Sequence, residues 1–169
     1  MANTLGAVVV LAQVGLSPIP AVDVTAADIE NTLEPTAEIA PGIIDTPIRT
    51  IDVGAYDVSV AIVSRGPAEN VVGGTIHTEV TEVYTILEGS GTIVTGGKLI
   101  DPRPRRGGGT ARRRGTSGPS VTGTGMEGAV TRQVVEGDMI IIPAGTPHYF
   151  SEIPGSLIYT IVRVDPGGA

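Results

Sequence analysis

The sequence predicts a single all-β domain, a sandwich or barrel built from many short strands. Runs of apolar and β-branched residues recur from residue 47 onward, and glycine-containing turns separate them at short intervals. Gly 24 and Pro 13 are high for 169 residues, which favours strands and turns over long helices. Hydrophobic residues make up 41% and aromatics only 3%, so we expect a core of Val, Ile, Leu and Ala.

Charge and cysteine content exclude several classes of function. The formal net charge of −7 argues against general nucleic-acid binding. The chain has no cysteine, which excludes disulfides and thiolate metal sites.

Residues 1–46 are interpreted as an N-terminal arm. Residues 5–16, LGAVVVLAQVGL, are apolar and are followed by small residues and prolines up to Ala21. The run has the length of a signal peptide and is too short to span a membrane. However, no Lys or Arg precedes Arg49. Two interpretations stay open: a signal-like segment over residues 5–21 of an exported protein, or, in a cytoplasmic protein, an added β-strand or an arm packed on a partner subunit.

A short helix is predicted within this arm, over residues 26–33. Thr25 can cap its first turn, and Asp28 lies three residues further on. Pro35 disfavours a helical residue before it, so we expect residues 34–45 to form a loop.

The barrel is predicted to span residues 47–165. Residues 56–65, YDVSVAIVSR, alternate clearly between apolar and polar positions, whereas the preceding run from residue 48 alternates weakly. Gly89 and Gly91 predict a turn between two separate strands. The further strands are expected over residues 74–78, 82–88, 91–95, 129–136, 139–142, 148–152 and 156–164.

Residues 101–128 interrupt this rhythm and are interpreted as a largely mobile insertion. The segment is rich in Gly, Pro, Ser, Thr and Arg, and its scarcity of large apolar side chains leaves little to offset the cost of ordering it. It is either an anion-binding or partner-docking arm, or a solvated loop that rests on the acidic body of the protein. Six of the chain's eleven basic residues lie in it: Arg103, Arg105, Arg106, Arg112, Arg113 and Arg114.

The chain's two histidines, His77 and His148, lie in two compact stretches. If the strands around His77 form a hairpin through residues 78–81, His77 and Glu82 meet at its base. His148 follows the turn 143–147, PAGTP, which would present it at the start of a strand. Two imidazoles and a carboxylate on adjacent strands suit a divalent transition metal and leave coordination positions open.

These stretches resemble the two motifs of the cupin family. His77, Glu82 and Gly89 have the spacing of the second half of the first motif, G-x(5)-H-x-H-x(3,4)-E-x(6)-G. The second motif, G-x(5)-P-x-G-x(2)-H-x(3)-N, is matched by the set Gly137, Pro143, Gly145 and His148. Thr75 stands at the first histidine position, Glu69 at the opening glycine and Glu152 at the final asparagine. The resemblance spans about residues 48–164 and implies a double-stranded β-helix (jelly-roll barrel) with His77, Glu82 and His148 as metal ligands.

The resemblance leaves the function open between two classes. One is a metal-dependent enzyme that acts on a small oxygen-rich molecule as an oxygenase, isomerase or lyase; Fe, Mn, Zn and Ni are not distinguished. The other is a non-catalytic barrel without metal that binds a small ligand or serves in assembly. For the first class, Tyr84 is the candidate catalytic residue and Tyr149 a further one, although either can serve only in packing.

Other residues complete the predicted site. Thr75, Ile86 and Phe150 are expected to line the ligand pocket, and Glu79 is an alternative ligand if the strand register shifts. The resemblance also implies a homodimer, for which the apolar residues 8–11 are a candidate exchanged strand.

Overall fold

The computed structural model describes residues 19–33, 42–105 and 117–166. The described residues contain one helix, α1 (Ala26–Leu33), and twelve strands. The all-β fold predicted from the sequence is confirmed. In chain order the strands are β1 (Ile43–Asp52), β2 (Asp57–Arg65), β3 (Gly74–His77), β4 (Thr81–Thr95), β5 (Lys98–Ile100), β6 (Arg103–Pro104), β7 (Ser120–Gly123), β8 (Gly125–Glu127), β9 (Val130–Val135), β10 (Met139–Ile142), β11 (His148–Glu152) and β12 (Leu157–Asp165).

The strands form two antiparallel layers that share β4. In the first layer β1, β2, β12 and the first half of β4 are neighbours, and β10 pairs with the other edge of β4. In the second layer β9, the second half of β4, β11, β3, β7 and β6 follow one another. Strands β5 and β8 form a separate two-stranded ribbon. Because β4 passes from one layer into the other, the two layers are joined as in a jelly roll.

The expected turn between two strands at Gly89 and Gly91 is wrong, because β4 runs through it without a break. The register against β12 shifts here, so that Leu87 has no direct partner and forms a β-bulge. Gly89 has a φ of +84°, and a Cβ at this position would lie 2.0 Å from the carbonyl oxygen of Ser156. The bulge and the glycine bend the strand from one layer into the other instead of ending it.

The core lies between the two layers and is mostly aliphatic, as expected. Thirteen buried residues form one cluster, among them Ala61 from β2, Ile93 from β4 and Ile161 from β12. The few aromatic residues are concentrated here as well, since Tyr84, Phe150 and Tyr159 belong to the same cluster. The interior of the barrel is therefore a packed core in which aromatic rings from both layers lie near one another.

The predicted helix is confirmed with its bounds, Ala26–Leu33. The hydroxyl of Thr25 accepts a hydrogen bond from the amide of Asp28 at 3.1 Å, and the amide of Thr25 donates to the Asp28 carboxylate at 2.8 Å. This reciprocal pair is a capping box. Asp28 also lies 3.8 Å from Arg49, which ties the helix to β1.

The rest of the predicted arm is described only in part. Residues 1–18, which hold most of the signal-like segment, and residues 34–41 of the predicted loop lie outside the described residues. Strand β1 begins at Ile43, inside that predicted loop and before the expected start of the barrel. The helix among the described residues is too short to cross a membrane.

The predicted insertion contains strands that belong to the barrel. Within residues 101–128 lie β6, β7 and β8, and β7 pairs with β3 over its whole length. Alternation is weak here because glycine and serine occupy positions where apolar side chains would mark a strand. Residues 106–116, with four of the six arginines, lie outside the described residues.

Candidate metal centre

His77, Glu82 and His148 are brought together from three strands and both layers. His77 ends β3 and His148 begins β11, two neighbouring strands of the second layer, whereas Glu82 lies near the start of β4 in the first layer. The hairpin expected to join His77 and Glu82 is wrong, because β3 pairs with β7 and β11. The two residues meet across the interior because the chain crosses from one layer to the other between them.

The turn before His148 is fixed against the end of β3. The amide of Thr146 donates to the carbonyl of Pro143 at 3.1 Å, and Gly145 has a φ of +80°. The amide of Gly145 donates to the carbonyl of His77 at 2.8 Å. The turn thus places His148 beside His77, and the centroids of the two rings lie 5.2 Å apart.

The three side chains are buried and close enough to share one ion. Their exposed fractions are 8% for His77, 1% for Glu82 and 7% for His148. The Nε2 atom of His77 lies 3.6 Å from Oε1 of Glu82, and the Nε2 atom of His148 lies 3.5 Å from Oε2. One donor atom from each residue lies within 4.8 Å of the others. Among the described residues, this is the one group of three or more His, Asp or Glu side chains close enough together to hold a metal ion.

The hydrogen bonds of Ser120 fix the tautomer of His77. The Ser120 hydroxyl donates to the carbonyl of Gly118 at 3.0 Å, so its oxygen is left to accept from Nδ1–H of His77 at 2.8 Å. Nε2 of His77 then carries the lone pair and faces Glu82. Burial, opposed by Glu82 and aided by His148 and Arg163, lowers the pKa of His77 from 6.5 to about 4, so the ring is neutral at neutral pH.

A backbone carbonyl fixes the tautomer of His148. Nδ1 of His148 lies 3.0 Å from the carbonyl oxygen of Thr146, which can only accept, so Nδ1 carries the proton. Nε2 lies 3.3 Å from the hydroxyl of Tyr84. That hydroxyl donates its proton to Oε2 of Glu82 at 2.7 Å. The hydrogen bond at Nδ1 therefore turns Nε2 of His148 toward Tyr84 and Glu82, the direction from which it can bind a metal ion.

Glu82 is the negative centre of the cluster. Its Oε1 atom accepts from Nε of Arg163 at 3.3 Å and from the hydroxyl of Ser117 at 3.5 Å. Burial opposes its ionisation, but His77, His148, Arg163 and the Tyr84 hydroxyl together lower the pKa of Glu82 below its usual value. Arg163 is a permanent cation beside the carboxylate and Tyr84 donates a hydrogen bond to it, so both favour the ionised form of Glu82.

Tyr84, the candidate catalytic residue, is part of the cluster. It is 3% exposed, and burial first, then Tyr159 and Glu82, raise its pKa well above the usual value. Its ring lies 4.6 Å from that of Tyr159, centroid to centroid. Tyr84 is therefore a protonated hydrogen-bond donor to Glu82 at neutral pH, and not a base.

The remaining predicted site residues occupy different places. Thr75 pairs directly with His148 across β3 and β11, and Ile86 and Phe150 are buried in the core cluster beyond the three ligands. Tyr149 alternates away from His148 and is half-buried. Glu79 is exposed and is not a member of the ligand group.

Four residues that contact the site or its neighbours were missed by sequence reasoning. Ser117 and Ser120 fall in the stretch interpreted as an insertion, where no strand pattern is visible. Arg163 and its partner Asp45 were also missed. Arg163 has a signal in the sequence: residues 157, 159 and 161 of β12 alternate inward, and the same alternation points residue 163 into the barrel.

The two joined layers and the buried His, Glu and His side chains define this chain as a jelly-roll β-barrel with a candidate metal centre in its interior. No family model matches the sequence, and no match is found among the curated proteins.

Several solved structures have a similar fold at low sequence identity. The cupin domain of Schizosaccharomyces pombe Cnp3 is 7% identical over 78% of this chain and 71% of its own, with a TM-score of 0.45. The protein TT1209 from Thermus thermophilus is 14% identical over 79% of this chain and 93% of its own, with a TM-score of 0.45. The DMSP lyase DddQ from Ruegeria pomeroyi DSS-3 is 17% identical over 63% of this chain, with a TM-score of 0.39. This chain spans 37% of that lyase.

Proposed function

We propose that this protein binds one divalent transition metal ion through His77, Glu82 and His148, and through that ion a small oxygen-rich molecule. The orientation of the two imidazoles is the observation that carries this proposal. Both Nε2 atoms point at the carboxylate of Glu82, at 3.6 Å and 3.5 Å. The lone pair of His77 faces this carboxylate, which is unfavourable in a buried site unless a cation lies between them. Hydrogen bonds from the opposite ring nitrogens are the usual support of histidine ligands.

The donor set limits the chemistry. Two imidazoles and one carboxylate suit a borderline transition metal and leave positions open for an exogenous ligand. When bound, such an ion would supply Lewis-acid character toward the oxygen atoms of that ligand. The chain's own contribution is to hold the three donors, exclude water by burial and keep a hydroxyl proton on Tyr84 at the cluster. We assign Tyr84 to this hydrogen-bonding role.

Metal analysis of protein purified without a polyhistidine tag tests the proposal. We expect about one ion per chain in the wild type, because the three donors form a single site. Glu82→Gln keeps the size of the side chain but removes the charge, and it should abolish stoichiometric binding. Glu79→Gln is the matched control, because Glu79 is exposed and outside the ligand group. Metal at equal occupancy in wild type, Glu82→Gln and Glu79→Gln would refute the site.

A non-catalytic barrel without metal is the second candidate, and Arg163 favours it. Its guanidinium lies against Glu82, so the carboxylate has a cationic partner without any metal ion. The same measurement separates the two candidates. Wild-type protein that takes up no ion from Co²⁺, Zn²⁺, Mn²⁺ or Fe²⁺ solutions would leave the barrel as a binding or assembly module. The homodimer implied by the family resemblance stays a prediction.

A further inference from the structure

Arg163 is a buried cation that lies directly against the carboxylate of the proposed metal site. It is 3% exposed, and its Nε donates to Oε1 of Glu82 at 3.3 Å. Its two terminal nitrogens contact the carboxylate of Asp45, one at 3.3 Å and the other more closely. Asp45 lies on β1, and its side chain is 39% exposed. Arg163 therefore links Glu82 in the interior to a carboxylate that solvent reaches.

The charges around Glu82 do not provide for a bare divalent ion. An imidazole that binds a metal ion does so as a neutral donor, so Glu82 supplies the single negative charge of the ligand group. Arg163 offsets part of that charge before any ion arrives, because its guanidinium is shared between Glu82 and the partly exposed Asp45. A divalent ion would therefore leave the buried cluster with an excess of positive charge, which is costly away from water.

A second arginine on the inner surface increases this excess. Nε of Arg65 donates to the hydroxyl of Tyr159 at 2.9 Å, and its guanidinium carbon lies 5.1 Å from the centroid of Phe150. No carboxylate of the described residues forms a salt bridge with Arg65. Tyr159 in turn stacks on Tyr84, so this positive group lies just beyond the residue that donates to Glu82.

We infer that Arg163 makes metal binding at this site dependent on a small anion, so that ion and anion bind together. This rests on the proposed metal site and names the class of its ligand: a compact anion with a carboxylate or similar oxyanion. An anion on the open positions of the metal compensates the charge that Arg163 adds. Because such coupling is reciprocal, the ion should raise the affinity for the anion by the same factor.

Titration with Co²⁺, followed by its visible absorption, tests the inference with azide as a monoanionic probe. In the wild type, azide should raise the affinity for Co²⁺ by about tenfold or more. Arg163→Met removes the competing cation, so it should bind Co²⁺ about tenfold more tightly without azide and lose most of the azide effect. Asp45→Asn removes a negative charge and leaves Arg163 with Glu82, so it should bind Co²⁺ more weakly.

The opposite signs of the two variants separate this inference from general damage to the site. Damage would weaken Co²⁺ binding in both variants, and that result overturns the inference, as does a wild-type affinity that azide leaves unchanged. Arg132→Met, which removes an exposed arginine of β9, should change the affinity by less than about twofold. If Arg163→Met does not fold, the wild-type azide effect and Asp45→Asn decide. If Co²⁺ binds the wild type but not Glu82→Gln, and azide has no effect, the inference is overturned but the proposed metal site stands. If no form binds Co²⁺, the proposed metal site fails as well.

Discussion

The titration of His77 gives the most direct energetic prediction. In the folded protein its pKa is about 4, against 6.5 for an ordinary histidine, because burial disfavours the charged ring. As pH falls through 6.5 the unfolded chain takes up a proton that the folded chain refuses until about pH 4. The contribution of the neutral His77 ring to the free energy of unfolding is therefore fully present above pH 6.5 and declines below it. At about 1.4 kcal/mol for each pKa unit, the loss reaches about 3 kcal/mol.

His77→Gln removes this titration, and urea unfolding with a chelator present measures it. Between about pH 7.5 and about pH 4, the wild type should lose about 3 kcal/mol more unfolding free energy than His77→Gln. Titratable groups that do not contact His77 contribute equally in both proteins and cancel in this comparison. Glu82 lies 3.6 Å from His77, so its titration changes when His77 is replaced. Repeating the two measurements in a Glu82→Gln background removes this contribution. A difference below about 1 kcal/mol in both backgrounds would show that His77 is not buried as a neutral ring.

Two further predictions concern residues around and beyond the cluster. Ser120→Ala removes the acceptor that orients His77 and should weaken metal binding, measured by calorimetry, about 10-fold to 100-fold. Ser151→Ala is the control: it removes the hydrogen bond from the Ser151 hydroxyl to the carbonyl of Thr92 and should leave the metal affinity unchanged. Equal effects of the two substitutions would contradict the orienting role of Ser120. Gly89→Ala places a Cβ 2.0 Å from a backbone carbonyl oxygen and should lower the free energy of unfolding, measured by chemical denaturation, by at least about 3 kcal/mol. Gly96→Ala is the control, because Gly96 has a similar φ of +79° but open space around it, and it should cost about 1 kcal/mol. Similar losses in the two variants would refute the close approach at Gly89.

Local signals in the sequence were sufficient for much of the fold. The helix Ala26–Leu33 was predicted to the residue because Thr25 and Asp28 form a capping box that depends on sequence neighbours alone. Strands β10 and β11 were predicted with their bounds, since a glycine or proline marks the turn before each. Alternation along β2 and β12 likewise gives the inner faces, because side chains on a strand alternate with a period of two.

Sequence signals whose meaning depends on strand pairing led to wrong predictions. Gly89 indicates a turn in the sequence, yet it lies inside a single strand, because the carbonyl of Ser156, far along the chain, occupies the space where a side chain would be. The proximity of His77 and Glu82 in the sequence suggested a hairpin, whereas the two residues lie in different layers. Ser120 could not be recognised, because its role depends on the pairing of β7 with β3.

The all-β class, the short capped helix and the three candidate ligands could be found without coordinates, because spacing, capping and alternation are properties of neighbouring residues. The orientation and charge environment of those ligands depend on the tertiary structure. Ser120 and Thr146 orient the imidazoles, and Arg163, 81 residues after Glu82, contacts its carboxylate. Tautomers and charge balance are set by contacts between side chains that are distant in the chain, and such contacts exist only once the strands have paired.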